Sequence, residues 1–211
     1  SDLETTGYFG EQTLVSVKAF QAKHNLPITG VVGNLTRGQV NALYFNELCP
    51  MQKPGMFSDF TYSRVDKSHG LHSGYTPTDL VNISDKVKTL GISCLKKEAA
   101  DALYALFEDA KSQGIQLAVS SSFRRQEIQK MLHAFWLDKD LNYNIDKVAQ
   151  PHHSEHQLGT AVDLTGASIG FNGVDPQFAD SIEGKWLQQN AHTYGFVLSY
   201  PEGEKNTTGY D

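Results

Sequence analysis

The residues best suited to chemistry lie in one stretch, Pro151 to Leu164. His156 offers an imidazole and Asp163 a carboxylate, seven positions apart. Nitrogen and oxygen donors of these types suit a borderline-soft divalent ion such as zinc. Seven residues is not the i,i+4 repeat that puts two side chains on one helix face. The pair reads instead as a loop residue and a strand residue joined by a turn. Gly159 lies between them, free to take backbone angles that strain other residues, and the alternating segment Ala161 to Leu164 follows. Spacing alone does not separate this pair from a chance His–Asp pair.

A second place for chemistry is Ser121 to Gln129, which joins a short apolar strand to a helix. A helix N-terminus carries free N–H groups and the positive end of the dipole. Arg124 adds a planar fork suited to a carboxylate. Such a place could hold the terminal carboxylate of a peptide; an exposed Arg in ordinary surface pairs is the alternative. His152 and His153 either line a pocket or face solvent. His69 and His72 read as exposed loop histidines, and His133 and His192 as structural.

The elements that must position these residues follow from periodicity. Leu95 to Gln113 repeats Ala and Leu at helical spacing, and Gly114 is its stop. Ile115 to Ser120 is a short strand. A helix runs from Arg124 to about Asp138, with Ile128, Met131, Leu132, Phe135 and Trp136 inward as core. Residues 139–150 form a polar connection, and Thr165 to Gly173 a Gly-rich loop. A last helix covers Ile182 to about Tyr194 before Gly195, and Phe196 to Tyr200 reads as a strand. This mixed order predicts an α+β domain with a small, mostly antiparallel sheet flanked by helices.

That domain is expected over residues 75–211. Residues 1–48 read as a small all-α module. Thr13 caps a helix carrying Leu14, Val17 and Phe20 and ending near Asn25; Thr36 caps a second helix with Val40, Leu43 and Tyr44. Residues 49–74, broken by Pro50, Pro54, Gly55, Gly70 and Gly74, read as a linker.

Composition narrows the class. The 211 residues are 39% hydrophobic and 20% charged, as in a soluble globular protein. A net charge of −6 without a Lys/Arg run argues against nucleic acid or an anionic membrane as partner. No apolar run is long enough to span a bilayer, and Ser1 does not open a signal peptide. A processed or excised chain would look the same. Cys49 and Cys94 lack metal-site spacing. They are either one disulfide tying the linker to the second domain or two separate thiols.

Whole strings say more than pairs. Ser154, His156, Gly159, Ala161 and Asp163 stand as Ser-x-His-x-x-Gly-x-Ala-x-Asp. This resembles the signature of the VanY-type D-alanyl-D-alanine carboxypeptidases, a group of zinc peptidases acting on peptidoglycan. Ser121, Phe123, Arg124 and Gln129 are similar to the same family's Ser-Gly-Tyr-Arg-Ser segment with its downstream Gln, although Ser122 replaces the usual Gly and Arg125 the usual Ser. Trp186 to Pro201 also looks like the family. The resemblance implies that His156 and Asp163 bind Zn2+, and that Arg124, Gln129 and Ser154 hold the terminal D-alanine carboxylate. Arg124 then has an electrostatic role in catalysis. The family's last motif, Glu-x-Trp-His, should follow Gly209 and Tyr210; its His is the third zinc ligand and its Glu the general base, so both are expected beyond Asp211.

The front module carries Gly7, Tyr8, Phe9, Gly10, Gln12, Thr13, Val17, Phe20, Gln21, Gly30, Gly33 and Thr36 in an order similar to the peptidoglycan-binding family PG_binding_1. The first helix of that family would lie before Ser1. These resemblances imply a zinc carboxypeptidase that removes terminal D-alanine from peptidoglycan stem peptides, outside the cytoplasm, secreted or wall-associated. Stem peptides and glycan are the implied partners, and a monomer is expected. Two alternatives stay open: a non-catalytic peptidoglycan-binding protein with an incomplete zinc site, and a zinc endopeptidase that cuts cross-bridges.

Overall fold

A computed structural model describes residues 9–33, 35–36, 39–40, 64–72, 75–91, 93–139, 148–173 and 175–201, without the side chains of 135–139. The chain divides into two compact units, Ser1–Phe45 and Asn46–Asp211.

In the first unit, helix α1 spans Glu11–Lys23. It starts ahead of Thr13, the expected cap. Gly10 is the N-cap, and the Glu11 carboxylate sits in the first turn, where the helix dipole favours it. Gln21 is buried and works as an internal tie. Its amide nitrogen donates to Thr36 Oγ1 at 2.9 Å and to the Val31 carbonyl at 3.0 Å, and its oxygen accepts from Gly30 N at 2.9 Å. Thr36 is therefore a buried partner of Gln21 rather than the expected cap. Gly30 has φ +74°, which strains other residues, and a Cβ there would lie 2.4 Å from Leu14 Cδ1, so glycine is favoured. Leu43 and Tyr44 lie outside the described residues.

Among the described residues, the second unit is built on two antiparallel two-stranded ribbons. In the first, β1 (Leu80–Asn82) pairs with β2 (Cys94–Lys96), Val81 opposite Leu95. Helix α2 (Lys97–Ser112) follows directly. The helix expected from Leu95 thus begins two residues later, because Leu95 is held in the β1 ladder. Ala100, Leu103, Leu106 and Ala110 turn the buried face of α2 inward, and Gly114 ends the turn at φ +78°.

In the second ribbon, β3 (Leu117–Ser121) pairs with β4 (Asp163–Gly166). A bulge between Val119 and Ser121 sets Ser121 opposite Asp163. Among the described residues, a parallel bridge from Thr89 to Val119 adds a further contact to β3. Thr165 and Gly166, expected in a loop, belong to β4, and a 3-10 turn follows over Ala167–Ile169. Gly166 lets the buried Glu183 pack flat on the strand; a Cβ there would lie 2.5 Å from Glu183 Cδ.

Helix α3 spans Gln126–Lys139 and α4 spans Ile182–Asn190, the latter continued by a 3-10 turn to Tyr194 and stopped by Gly195 at φ +82°. The inward face of α3 carries the fully buried Gln129. Met131, expected inward, lies two positions on, about 200° round the helix, and is 63% exposed. The Phe135 and Trp136 side chains lie outside the described ones. Phe196 to Tyr200 is not a strand: Val197 and Leu198 are exposed and no ladder forms there among the described residues. His192 is exposed as well.

Two apolar clusters flank α2. One joins Ile83, Leu95, Leu103 and Val119; the other joins Leu106, Ala110, Leu117 and Trp186. Trp186 Nε1 also donates to Gln113 Oε1 at 2.9 Å. Val65, Leu71 and Leu158 form a third cluster. Residues 64–72, inside the segment expected as a linker, are folded into it. Cys94 is buried and disulfide-bonded, so it is not a free thiol. Cys49 lies outside the described residues.

Leu106 is 1% exposed and belongs to an apolar cluster with Ala110, Leu117 and Trp186. Leu106→Ala is expected to lower unfolding free energy by about 2–5 kcal/mol, read from urea denaturation.

Candidate metal and carboxylate site

The turn between His156 and Asp163 is made by local chemistry. A 3-10 turn covers Glu155–Leu158 and is closed by Gly159 at φ +79°. The Gly159 carbonyl accepts from Lys96 N at 2.7 Å, which ties the turn to β2. A Cβ on Gly159 would crowd Leu80, Lys96 and Pro77 at 3.0–3.2 Å. The chain then enters β4 at Asp163, and the β3 bulge sets the height at which that carboxylate emerges.

His156 is held at both of its ends. Its Nδ1 lies 2.7 Å from the Ser122 carbonyl, an acceptor only, so Nδ1 carries the proton. Its own carbonyl accepts from Arg124 N at 3.0 Å. Nε2 then faces Asp163 Oδ2 at 3.3 Å. Burial pulls the Asp163 carboxyl up, but the His156 ring and then Arg124 outweigh it and hold it below the usual carboxylate range. Two lone-pair donors at this distance need a cation between them, either a proton or a metal ion. Ligands about 2.1 Å from a tetrahedral zinc lie about 3.4 Å apart. The donor types and their separation fit zinc. Among the described residues no third His, Cys, Asp or Glu joins this pair.

Beside the pair stands a polar cradle. Arg124 Nη1 donates to Gln129 Oε1 at 2.8 Å, and Nη2 donates to Ser121 Oγ at 2.9 Å. Gln129 Nε2 donates to the Ala149 carbonyl at 2.5 Å. Arg124 is largely desolvated, which lowers its pKa, while Asp163 nearby raises it. Arg124 thus precedes α3 as a half-buried, oriented guanidinium and not as an exposed surface charge. Ser154 is buried, and its hydroxyl bonds to no other described residue. The stretch that contains it is tied to the Arg124 segment at Ala149 and at His156. The five residues singled out in the sequence therefore converge on one region.

Other members of the region were named in the sequence without the contacts they make. Ser122 supplies the carbonyl behind His156, and its buried Oγ accepts from Cys94 N at 3.0 Å. His152 has φ +72°; its N–H donates to Gln157 Oε1 at 2.8 Å, and Gln126 donates to its ring. Its positive φ is uncommon for a non-glycine residue, and nothing in the residue order announces it. His153 Nδ1 donates to the Asp66 carbonyl at 2.7 Å, and Leu71 N donates to the His152 carbonyl at 2.8 Å. The Gly70 backbone lies against the His153 ring, with no room for a Cβ. The segment 64–72 is thus strapped onto the turn that leads to Ser154. His69 is half exposed and binds the buried Asp66 carboxylate.

The VanY family model, described as "D-alanyl-D-alanine carboxypeptidase", matches residues 92–211, more than half of the chain. The chain belongs to that family. A second model, described as "Putative peptidoglycan binding domain", matches residues 1–40. Among relatives, "Putative carboxypeptidase YodJ" of Bacillus subtilis (strain 168) is 35% identical over 158 residues, covering 70% of this chain and 55% of the relative. The solved structure of the LdcB LD-carboxypeptidase is similar with a TM-score of 0.64 and 35% identity, covering 70% of each chain. A vancomycin resistance D,D-pentapeptidase VanY in complex with Zn(II) shares the fold, with a TM-score of 0.56 and 24% identity over 72% of this chain and 83% of that one. The chain spans about half the length of the curated relatives it matches.

Asp66 generates a pH dependence. Burial raises its pKa, but bonds from the His69 ring, Ser68 N, His69 N and Arg64 outweigh that and hold it far below the usual range. A depressed folded pKa means stability that is present above the unfolded value, about 3.9, and lost as pH falls through the folded one. Unfolding free energy should therefore drop below about pH 4, and the difference from Asp66→Asn should shrink over the same window in acid denaturation curves.

Proposed function

We propose that the protein to which this chain belongs has the zinc carboxypeptidase activity of its family and removes the terminal D-alanine from peptidoglycan stem peptides. One observation carries the reading. His156 Nε2 and Asp163 Oδ2 face each other as a preformed cation site, directly beside the desolvated Arg124. An opposed pair of metal donors next to a guanidinium is what hydrolysis at a chain end requires.

His156 and Asp163 would hold zinc, with a third ligand and a general base supplied by the motif expected after Gly209 and Tyr210. When bound, zinc supplies a Lewis acid and an acidified water. Arg124 would take the substrate carboxylate through its fork, exchanging its bond to Gln129 or Ser121 for a charge-assisted one. Gln129, fixed by Ala149, and Ser154, whose hydroxyl bonds to no other described residue, would complete the grip. Held there, the last residue puts its peptide carbonyl at a fixed distance from the His156–Asp163 pair. Such positioning of reactants removes much of the entropic barrier. Asp163 also keeps Arg124 charged in a desolvated place.

The first unit would act as a tether to the wall, raising the local concentration of the catalytic unit. The match to a peptidoglycan-binding family supports this role and an extracytoplasmic location. No helix among the described residues is long and apolar enough to cross a membrane.

Zinc content and D-alanine release test the reading together. The full-length protein should lose activity to a chelator and regain it with zinc, and both His156→Ala and Asp163→Ala should reduce bound zinc. Bound stem peptide without release, in zinc-loaded full-length protein, would leave a wall-binding role instead.

Arg124→Ala should lower kcat/KM for a stem peptide with a free terminal carboxylate by roughly 10- to 150-fold, the equivalent of losing a charge-assisted hydrogen bond. A cross-linked or amide-blocked substrate should lose far less. Equal losses on both would favour an endopeptidase.

A further inference from the structure

We infer that His153 is a positioning residue for Ser154, and that residues 64–72 serve the substrate site by holding its ring. The inference rests on the reading above, in which the Ser154 hydroxyl helps to grip the terminal carboxylate. It brings in a segment that lies ahead of residues 92–211, the part matched by the family model.

The chain reaches Ser154 through His152 and His153. The peptide between those two is held at both of its polar atoms. The His152 carbonyl accepts from Leu71 N at 2.8 Å, and His153 N donates to the Gln150 carbonyl at 3.0 Å. These bonds set one peptide plane but leave the rotation about the His153 N–Cα bond. That rotation turns the side chain and the onward chain together, since both leave the same Cα. Fixing the ring therefore fixes the direction in which the chain departs toward Ser154. The next peptide, between His153 and Ser154, makes no hydrogen bond among the described residues that could do this instead.

The ring is held from two sides by the one segment. His153 Nδ1 donates to the Asp66 carbonyl at 2.7 Å. On the other side, the three atoms nearest a Cβ on Gly70 would all belong to the His153 ring, at 2.8–3.4 Å. The holder is itself fixed. The buried Asp66 carboxylate accepts from Ser68 N at 2.7 Å, and from His69 N and the His69 ring at 2.9 Å each. Val65 and Leu71 pack against Leu158, on the far side of Ser154 in the chain. Segment 64–72 thus grips the turn both before and after Ser154. Ser154 is itself buried, so a small shift of its backbone changes what its hydroxyl can reach.

The test uses the full-length protein and three variants, each also combined with Ser154→Ala. His153→Phe keeps a ring and loses the donor. His153→Asn keeps an amide donor near the place of Nδ1. Gly70→Ala presses on the ring from outside. One readout is kcat and KM for D-alanine release. The other is hydrogen exchange of the Gln157 amide, which donates to the Ser154 carbonyl at 3.0 Å. His153→Phe and Gly70→Ala should lower kcat/KM about 10-fold, mostly through KM, and speed Gln157 exchange about 10-fold. His153→Asn should restore both. With Ser154→Ala present, the same changes should cost less than about twofold, because residues that act through one group are not additive. Equal losses with and without the Ser154 hydroxyl, or Gln157 exchange that stays within about twofold of the parent, would overturn the role of His153. A parent that releases no D-alanine overturns the carboxypeptidase reading instead, and Gln157 exchange still decides whether His153 positions Ser154.

Discussion

Two electron-pair donors, His156 Nε2 and Asp163 Oδ2, are held 3.3 Å apart, and the site depends on a cation to reconcile them. Left alone, an imidazole lone pair and a carboxylate would turn away from each other. They stay opposed because each is fixed from behind. The Ser122 carbonyl holds the ring, and the bulged β3–β4 ladder holds the carboxylate. The His156 ring first, and then the Arg124 guanidinium, hold the Asp163 carboxyl below its usual range against the effect of burial. A site of this kind is preorganised: its polar groups are oriented before any ligand arrives.

The scaffold that holds these groups is slight. Each ribbon has two strands, and such ribbons are marginal by themselves. Their stability comes from α2, which packs Leu103 toward the cluster with Leu95 and Val119 and Leu106 toward the cluster with Leu117 and Trp186. One ribbon then ties the His156 turn through Lys96 N, and the other carries Ser121 and Asp163. Glu183 closes the far end of β4, accepting two bonds from Ser168 across Gly166. Residues 64–72 strap the approach to Ser154 through Asp66 and Leu71. The functional residues are few, and most of the unit serves to hold them still.

This arrangement separates two duties. In the function proposed, the His156–Asp163 pair would answer to a cation, and the Arg124–Gln129 pair to an anion. Opposite charges held apart in a low dielectric attract ligands that carry the complementary pattern. A peptide end, with its polarisable carbonyl next to a carboxylate, has that pattern. The family match, the likeness to LdcB and the geometry point in one direction, although they rest on different observations.

The sequence by itself determined the residue types, their order and the strongest periodic element. The Ser154–His156–Asp163 string, Arg124 and Gln129, the buried face of α2 and the stop at Gly114 were all legible, because side-chain chemistry and helical period are written in residue identity. Element edges were less so. Leu95 reads as helix by spacing, but its pairing with Val81 makes it strand, and Met131 reads as core until Gln129 takes the inward place. Phe196 to Tyr200 has strand-like residues but no ladder partner among the described residues to make it one. Only the tertiary structure decided which carbonyl stands behind His156, that Cys94 anchors Ser122, and that Asp66 straps His153. The physical reason is that a backbone carbonyl or N–H is the same group at every position. Which one meets a given side chain depends on where the chain returns in space.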